Sequence, residues 1–382
     1  MDNIKVAFFA HAANLTGSSR SMIDLTNALK NNGVTPIVIL PSKGEIEKEL
    51  QRWNTKYYVV PFQQWVHGTR SKKTFKKRFH HVAKECINYS LYPKTINILK
   101  KENVQIVHSN NLSFGFGAQI ASAMNLPHLW HMRDFMEEDH HITFYDKKKA
   151  VKLLNESKYL VAISDIIAKK FSEFAGRSVE TIYNGVPIDL YKIGNKKIFS
   201  GEKINLMIAG RIVDTKGQKE AIEAVEILKD KYPNILLKII GEGTPDGFSD
   251  RLKEYVSEKK LSEWVEFVPF QSDMTPFRKE CDIQLVCSWN EAFGRVTVEG
   301  MLSGAVVVGA DAGCTPYLVK DGETGFLYKC KDSKALAEKL DYVITHKEIA
   351  EKVTSAAFKY AVDKFDIVRV SEQVRKLYEK VI

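Results

Sequence analysis

The feature that most constrains the fold is a repeated alternation of short apolar segments with longer amphipathic ones. In the first half the apolar segments are KVAFFAHA, TPIVILP, KYYVVPF, VQIVHSN, HLWHM, YLVAIS and ETIYNG. After the polar stretch 191–203 the alternation begins again, with INLMIAG, LLKIIGEG, VEFVPF, DIQLVCS, AVVVGAD and TGFLY. Apolar runs of this kind are typical of parallel sheets that helices cover on both faces.

The two rounds of alternation predict two doubly wound, Rossmann-like α/β domains, since one hydrophobic core rarely serves 382 residues. We expect the first domain over residues 1–190 and the second over 191–365. Residues 366–382 form an amphipathic pattern, and we expect this helix to cross back to the first domain. In open parallel sheets ligands bind beyond the carboxyl ends of the strands. A functional site is therefore expected in the loops that follow the strands.

The composition is typical of a packed globular protein, with 44% hydrophobic and 27% charged residues. No apolar run approaches 18 residues, and the first residues lack the features of a signal peptide. The cysteines are scattered and lack the spacing of metal ligands. They are Cys86, Cys281, Cys287, Cys314 and Cys330. We therefore expect a cytoplasmic protein that binds no metal.

The net charge of +9 lies entirely in the first half of the chain, where 26 Lys and Arg face 17 Asp and Glu over residues 1–190. Much of the excess is in residues 69–81, TRSKKTFKKRFHH, which also place Phe75 and Phe79 four positions apart. Aromatic side chains beside a basic surface suit an anionic membrane face. The lysines expected to contact it are Lys72, Lys73, Lys76 and Lys77. A solvated basic helix is the alternative, and no nucleic-acid-binding motif accompanies the segment.

Two loops carry groups that suit a phosphate. Residues 11–21, HAANLTGSSRS, follow the first strand, and Gly17 opens a helix there. Residues 209–221, AGRIVDTKGQKEA, place Arg211 and Lys216 beside a helix start in the second domain. Two cations at that position would bind a diphosphate without a metal. The alternatives are an ordinary capped turn in the first loop and an ion pair with Asp214 in the second.

Two further loops carry carboxylates and a histidine. Residues 288–311 place Glu291 after a buried strand, and Glu299 about 9 Å along the helix that follows. Beside a diphosphate, these carboxylates suit hydrogen bonds from sugar and ribose hydroxyls better than proton exchange as a pair.

Residues 129–135, LWHMRDF, put His131 and Arg133 at a strand end in the first domain. A histidine used only for packing is the alternative.

The segment EAFGRVTVEGMLSGAVVVGADAGCTPYLVKDGETGFLY resembles the E-x7-E region of the retaining glycosyltransferases of family 4. The resemblance runs through most of the chain, from TGSSRSMIDLTNALKNNG onwards. It implies the GT-B architecture, in which two Rossmann-like domains face each other across a cleft. It also implies transfer of a sugar from a nucleotide diphosphate-sugar, UDP-sugar by default, with retention of configuration and without a cofactor or metal.

The resemblance assigns roles in the second domain to matching residues. Arg211 and Lys216 would hold the donor diphosphate, and Glu291 would contact the donor sugar. Glu299 would contact the ribose. Further donor contacts are expected from Phe293, Gly294, Arg295, Phe267 and Val268, with backbone near 241–243 and 267–270 beside the base.

In the first domain the resemblance places His131 near the donor sugar and lets the loop at Gly17 approach the diphosphate. Asn184 and Gly185 match the hinge segment before the second domain, so linker geometry is expected there. Tyr317 stands where the family usually has a carboxylate, which indicates altered donor contacts or an unusual donor. The catalytic residues are then Glu291, Arg211, Lys216 and His131.

The combined prediction is a glycosyltransferase at the cytoplasmic face of a membrane. It would move a hexose-type sugar to a saccharide acceptor, lipid-linked, in capsule, exopolysaccharide or O-antigen assembly. A GT-B-fold sugar-nucleotide epimerase is the enzymatic alternative. A nucleotide-sugar-binding protein without transferase activity and a basic RNA-binding protein are the others.

Overall fold

The computed structural model of the protein describes residues 3–69, 75–194 and 196–382, with the main chain alone at 75–77. The chain divides into two compact units. The first comprises Met1–Gly185 together with Ile367–Ile382, and the second is Val186–Asp366. Of the predicted membrane contacts, Lys72 and Lys73 therefore lie outside the described residues, as do the side chains of Lys76 and Lys77.

The first unit contains a seven-stranded parallel sheet and a separate antiparallel strand pair. Its strands are β1 (Ile4–Ala10), β2 (Val34–Leu40), β3 (Lys56–Val59), β4 (Val66–Gly68), β5 (Ile106–Asn110), β6 (His128–Met132), β7 (Ile142–Phe144), β8 (Tyr159–Ala162) and β9 (Glu180–Thr181). Its helices up to this point are α1 (Gly17–Asn31), α2 (Ile46–Arg52), α3 (Phe75–Ser90), α4 (Tyr92–Lys101), α5 (Phe116–Ala123), α6 (Glu137–His140), α7 (Lys147–Glu156) and α8 (Asp165–Ala175).

The strand order in this sheet is β3-β2-β1-β5-β6-β8-β9. The order reverses between β1 and β5, so the loops after these two strands flank the switch point at which such sheets bind ligands. All seven strands coincide with predicted apolar runs. The short pair β4 and β7 was not predicted.

The β1 strand shows why the sheet is covered on both faces. Val6 and Phe8 join a core cluster on one face. Ala7 and Phe9 join a separate cluster on the other face. Because neighbouring side chains of a strand point to opposite faces, a run that is apolar at every position requires a layer on each side.

The second unit contains a six-stranded parallel sheet in the order β12-β11-β10-β13-β14-β15. Its strands are β10 (Ile204–Ala209), β11 (Ile235–Ile240), β12 (Val265–Val268), β13 (Ile283–Val286), β14 (Val306–Ala310) and β15 (Phe326–Tyr328). Its helices are α9 (Ile188–Tyr191), α10 (Gln218–Leu228), α11 (Phe248–Glu258), α12 (Thr275–Glu280), α13 (Arg295–Leu302), α14 (Thr315–Leu318), α15 (Ser333–Thr345) and α16 (Lys347–Phe365).

This order is that of a Rossmann sheet, with its switch point between β10 and β13. Leu206 and Ile208 of β10 belong to the larger core cluster of the unit. Met207, between them, belongs to the cluster on the other face. The predicted α/β class with two doubly wound sheets is thus confirmed.

The last helix, α17 (Ile367–Glu379), belongs to the first unit. Its residues Val370, Val374 and Leu377 are buried in the same core cluster as Val6 and Phe8. Asn32, at the end of α1, donates a hydrogen bond to the buried Ser371 hydroxyl at 2.6 Å. The helix therefore completes one covering layer of the first sheet.

Among the described residues no helix is both long and apolar enough to cross a membrane.

Candidate functional site

The loops after β10 and β13 meet at the switch point of the second sheet. The amide of Trp289 donates to the carbonyl of Thr215 at 2.9 Å. Gly217 has a φ of +69°, and a Cβ there would lie 2.3 Å from the carbonyl oxygen of Cys287. Only glycine fits this backbone conformation and this close approach. The glycine that starts α10 therefore also allows the two loops to touch.

This contact brings Lys216 and Glu291 together. The Lys216 ammonium lies 2.6 Å from a carboxylate oxygen of Glu291, and both side chains are largely shielded from solvent. Lys216 thus pairs with Glu291, and the ion pair with Asp214 that the sequence left open is not the arrangement found. Arg211, at the start of the same loop, is exposed.

The segment after β14 holds Glu291 from the other side. The amide of Cys314 donates to the carbonyl of Glu291 at 2.8 Å. Gly313 has a φ of +56°, and a Cβ there would lie 2.4 Å from the Glu291 amide nitrogen. Tyr317, which follows in α14, is 49% exposed. The residue that departs from the family pattern is therefore free to contact a ligand.

Helix α13 begins just after Glu291. Gly294 caps it with a φ of +90°, and Phe293 is buried against Phe365 with ring centroids 5.8 Å apart. The first amides of a helix carry partial positive charge and lack partners within the helix. With α10 starting at Gln218, two helix N-termini open at this end of the second sheet.

Glu299 is part of a buried ion pair. Its carboxylate accepts a hydrogen bond from Arg278 and lies 3.4 Å from the Nε of Arg295. The Arg278 side chain is 4% exposed, and its guanidinium lies 5.0 Å from the ring centroid of Tyr191. Glu299 therefore has a structural partner that the sequence did not indicate, and its contact with a ribose stays a prediction.

The loops after β11 and β12 lie beside the Arg211 loop. The amide of Ile212 donates to the carbonyl of Glu242 at 2.8 Å, and the Glu242 carboxylate accepts from the Phe270 amide at 3.1 Å. Val268 is buried, Phe267 is half-buried and Phe270 is exposed. The predicted base-contacting segments are thus neighbours, and their role stays a prediction.

In the first unit Gly17 begins α1 at the carboxyl edge of the sheet. Thr16 caps the helix, since its side chain accepts from the Ser19 amide. A Cβ at Gly17 would meet no atom within 4 Å. The space beside Gly17 is therefore open.

His131 lies at the end of β6 within a buried polar network. Arg133 Nη2 and His108 Nε2 each lie 3.3 Å from His131 Nδ1. Arg133 also donates to Asn110 at 2.8 Å and to Asn184. His131 Nε2 is buried, and within the described residues no group hydrogen-bonds to it. A histidine used only for packing would therefore explain the contacts of Nδ1, but not the buried Nε2 without a partner.

Burial lowers the pKa of His131 well below 6.5, and the nearby Arg133 and His108 lower it further. The pKa of His108 is lowered well below 6.5 by burial, then by Arg133 and by His128. Both imidazoles are therefore neutral at physiological pH. Asn184, expected to serve only the linker, has a side-chain partner in Arg133.

A cavity of about 620 Å³ opens at the carboxyl ends of β1, β2 and β3 in the first unit. Its polar and charged lining includes His11, Lys43, Glu45, Gln63, Gln64 and Lys84. Burial lowers the pKa of His11 to about 4, so this imidazole is neutral. A cavity of this size is typical of small-molecule sites.

Over residues 3–69, 75–194 and 196–382, no cluster of three His, Cys, Asp or Glu side chains is placed to hold a metal ion.

Sequence reasoning did not find His108, Tyr378 and Arg278. Tyr378 bonds to His108 at 2.6 Å across 270 residues, a separation at which no local pattern gives a signal. Arg278 is part of TPFRKE, which is typical of an exposed basic helix. One sequence signal could have indicated His108. It lies in a predicted strand, two residues before the end of that strand.

Two family models match adjoining parts of the chain. Residues 15–190 match Glycosyltransferase Family 4, and residues 192–360 match Glycosyl transferases group 1. The boundary between the two matches falls at Tyr191, the last residue of α9.

Curated relatives are similar to about half of the chain. The EpsD protein of Bacillus subtilis strain 168, named as a glycosyltransferase, is 28% identical over 192 residues, which are 50% of this chain and 49% of that protein. The D-inositol 3-phosphate glycosyltransferase of Corynebacterium glutamicum strain R is 27% identical over 218 residues, 53% of this chain and 52% of that protein. The chain thus spans about half the length of these relatives.

Solved structures match the whole chain. The structure of Anabaena Alr3699/HepE in complex with UDP has a TM-score of 0.83, and that in complex with UDP-glucose has a TM-score of 0.81. Each is 22% identical to this chain, covers 99% of it and is itself covered over 100% of its length. At this identity the likeness shows a shared fold.

Proposed function

Because the chain belongs to the family-4 glycosyltransferases and has the GT-B fold, we propose that it transfers a sugar from a nucleotide diphosphate-sugar to a saccharide acceptor. The anomeric configuration is retained and no metal takes part. The proposal rests on the arrangement of charge at the switch point of the second sheet. Arg211, Lys216 and the first amides of α10 and α13 lie there together.

These groups stabilise the departing nucleotide diphosphate. Negative charge develops on the leaving phosphate as the bond to the sugar breaks. Fixed cations and helix N-termini stabilise that charge without reorganising at the moment of reaction. Glu291, next to them, accepts hydrogen bonds from the donor sugar and fixes its orientation. The leaving phosphate takes the acceptor proton, so no protein base is assigned.

We propose UDP-hexose as the donor. Alr3699/HepE, which shares the fold, was solved with UDP and with UDP-glucose. The loops 241–243 and 267–270 of this chain border the Arg211 loop, where a base attached to the diphosphate would lie. Tyr317 follows the turn at Gly313 and Cys314 that contacts Glu291, and it stands in place of a carboxylate, so sugar specificity is expected to depend on it.

The acceptor is proposed to bind in the cavity of the first unit. Lys43 and Lys84 flank it, and neither has an acidic partner among the described residues. Gln63, Gln64 and the neutral His11 supply hydrogen-bonding groups of the kind that recognise saccharide hydroxyls. The two lysines suit an anionic group on the acceptor, such as the phosphate of a lipid-linked saccharide.

Helix α3 supports a membrane-bound acceptor. Phe79, Val82, Cys86 and Tyr89 recur at three- and four-residue spacing and are all exposed, with Phe79 at 70%. These four side chains, the α3 stripe, lie on one face of the helix. An exposed apolar stripe next to the basic segment 69–81 fits the surface of an anionic bilayer. Lys84, on the opposite face of α3 from the stripe, lines the cavity, so the same helix would carry both the lipid-facing stripe and one wall of the acceptor site.

Product analysis tests the proposal. The protein is incubated with UDP-glucose, UDP-galactose or UDP-N-acetylglucosamine and a mixture of lipid-linked saccharides, and products are identified by mass and by the anomeric NMR coupling. A sugar transferred with the donor's own configuration supports the proposal. An isomerised nucleotide-sugar would assign the epimerase instead. If nucleotide-sugar binds but no product forms, the protein would be assigned as a nucleotide-sugar-binding protein without transferase activity.

A further inference from the structure

A chain of hydrogen bonds runs from the last helix of the first unit to His131. The Tyr378 hydroxyl lies 2.6 Å from His108 Nδ1, and His108 Nε2 lies 3.3 Å from His131 Nδ1. All three side chains are buried. The chain ends at His131 Nε2, which is buried and lacks a hydrogen-bond partner among the described residues. A buried polar atom of this kind is costly unless a ligand satisfies it.

The direction of each bond follows from Arg133. A guanidinium has only donors, so Arg133 Nη2 donates to His131 Nδ1 at 3.3 Å. In a neutral imidazole one nitrogen accepts and the other carries the proton. With Nδ1 as the acceptor, the proton of His131 is on Nε2. The unpartnered atom is therefore an N–H donor.

The same reasoning extends back along the chain. His108 Nε2 faces an acceptor, so it must be the donor of that contact. His108 Nδ1 then has to accept, and its partner is the Tyr378 hydroxyl. Burial raises the pKa of Tyr378 well above 10, so the phenol keeps its proton. All donors thus point one way, from Tyr378 through His108 to His131.

We propose that Arg133, His108 and Tyr378 are positioning residues that together fix the tautomer of His131, so that its Nε2–H is presented as a donor to a substrate oxygen. The inference rests on the proposed function for the identity of that oxygen, a hydroxyl of a saccharide substrate. The tautomer itself is independent of it. Which nitrogen of a histidine carries the proton is set by the hydrogen bond that the other nitrogen makes.

The first test is Tyr378→Phe, which keeps the buried ring and removes the hydroxyl. His108 Nδ1 then has no donor, and its proton is free to move to that nitrogen. His108 Nε2 would turn into an acceptor facing another acceptor. We expect kcat to fall roughly 10-fold or more, as it does where a histidine is released from its catalytic tautomer. KM for the donor nucleotide should change little, since the diphosphate groups lie in the second unit.

The tautomer is read directly by ¹⁵N NMR of histidine-labelled full-length protein, assigned with His131→Gln. In the wild type the His131 signals should show a protonated Nε2 and an unprotonated Nδ1. In Tyr378→Phe they should report a mixture of the two tautomers, because His108 Nε2 then competes as an acceptor with the Arg133 donor at His131 Nδ1. A wild type already protonated on Nδ1 would overturn the proposal.

Ser371→Ala is the matched control, because it also removes a buried hydroxyl from α17. Its partner is Asn32, away from the histidines. We expect it to lower the melting temperature while leaving the kcat and the His131 signals as in the wild type. If Tyr378→Phe behaves in the same way, the Tyr378 hydroxyl is structural and the proposal fails.

The two proposals fail separately. The NMR readout needs no substrate, so a shifted tautomer in Tyr378→Phe with no sugar transfer in the wild type would reject the proposed function and keep the inference. Sugar transfer by the wild type, together with His131 signals that are unchanged in Tyr378→Phe, would keep the proposed function and reject the inference.

Discussion

The ammonium of Lys216 lies 2.6 Å from the carboxylate of Glu291, across 75 residues of sequence. The pair joins the two loops that flank the switch point of the second sheet. It holds a cation proposed for the diphosphate and a carboxylate proposed for the sugar in contact. A diphosphate would share Lys216 with Glu291, and so phosphate and sugar recognition are expected to be coupled.

Arg211→Ala should weaken nucleotide binding by about 10- to 100-fold, the effect of losing one charge-assisted hydrogen bond worth roughly 1.5–3 kcal/mol. Thermal stability with UDP, GDP or ADP measures this. Nucleotide at 100 times its Kd adds about 2.7 kcal/mol to stability, which is a shift of a few degrees.

Lys219→Ala is the matched control for Arg211→Ala. Lys219 lies on α10, exposed, and pairs with Glu223 at 3.5 Å. Its loss should leave the nucleotide shift unchanged. The shift should also be the same with Mg²⁺ and with a chelator. A shift that needs Mg²⁺ would contradict the metal-independent site.

Glu291→Gln should reduce sugar transfer roughly 100-fold, because the amide keeps the shape and loses the charge that orients the sugar. Nucleotide binding should persist. Combining it with Lys216→Ala in a double-mutant cycle measures the coupling of the two groups. Purely additive losses would show that the ion pair seen in the structure plays no part in catalysis.

Glu299→Gln should destabilise the protein by about 3 kcal/mol or more, because it leaves the buried Arg278 guanidinium without its counter-charge. Urea unfolding measures this. In the Lys219–Glu223 pair, whose lysine is exposed, Glu223→Gln should lower the free energy of unfolding by less than about 1 kcal/mol. If Glu299→Gln is as stable as the wild type, Glu299 has no such structural role, and the prediction that it contacts the ribose gains support.

Phe79→Ser with Val82→Ser should abolish binding to vesicles of phosphatidylcholine mixed with phosphatidylglycerol. Each apolar side chain contributes about 1.5–3 kcal/mol when it leaves water. Flotation of vesicles with the full-length protein gives the bound fraction, and binding should fall as salt is raised. Leu190→Ser, equally exposed but outside α3, should bind like the wild type. Loss in both variants would point to general misfolding rather than to the α3 stripe.

Stability should fall as the pH drops below 6.5. Burial lowers the pKa of His128 to about 3 and those of His108 and His131 well below 6.5. Below pH 6.5 the unfolded chain binds protons that the folded chain does not, so unfolding is favoured. Each histidine contributes up to roughly 1.4 kcal/mol per pH unit. The urea midpoint should therefore drop between about pH 7 and 5.5, and a constant midpoint over that range would contradict this.

Much of the fold was predictable because each strand of the two parallel sheets is short, apolar and separate from its neighbours. β10, for example, has the sequence INLMIA and could be assigned from that sequence alone. The strands β4 and β7 could not be predicted, because they are too short to show a pattern and pair with each other over a long sequence distance. Each has three residues, and Val66 pairs with Phe144 far along the chain. A pattern of length three carries no periodicity.

Site residues could be predicted where the interacting residues belong to one sequence motif. They could not be predicted where the interacting residues lie far apart in the sequence. Glu291, Phe293 and Gly294 share one loop, and the start of α13 after them follows from that loop. Arg278 and Tyr378 reach Glu299 and His108 only through tertiary packing. Nothing local distinguishes such residues from ordinary exposed or core positions.

The position of α17 has a consequence for biosynthesis. The second unit begins and ends side by side, since the Val186 amide donates to the carbonyl of Phe365 at 2.8 Å, so it is an insertion within the first unit. A ribosome makes residues 1–185 early, but the helix that covers Val6 and Phe8 is made after the whole second unit. The part synthesised first is therefore completed last, and it exposes an apolar sheet face until α17 arrives.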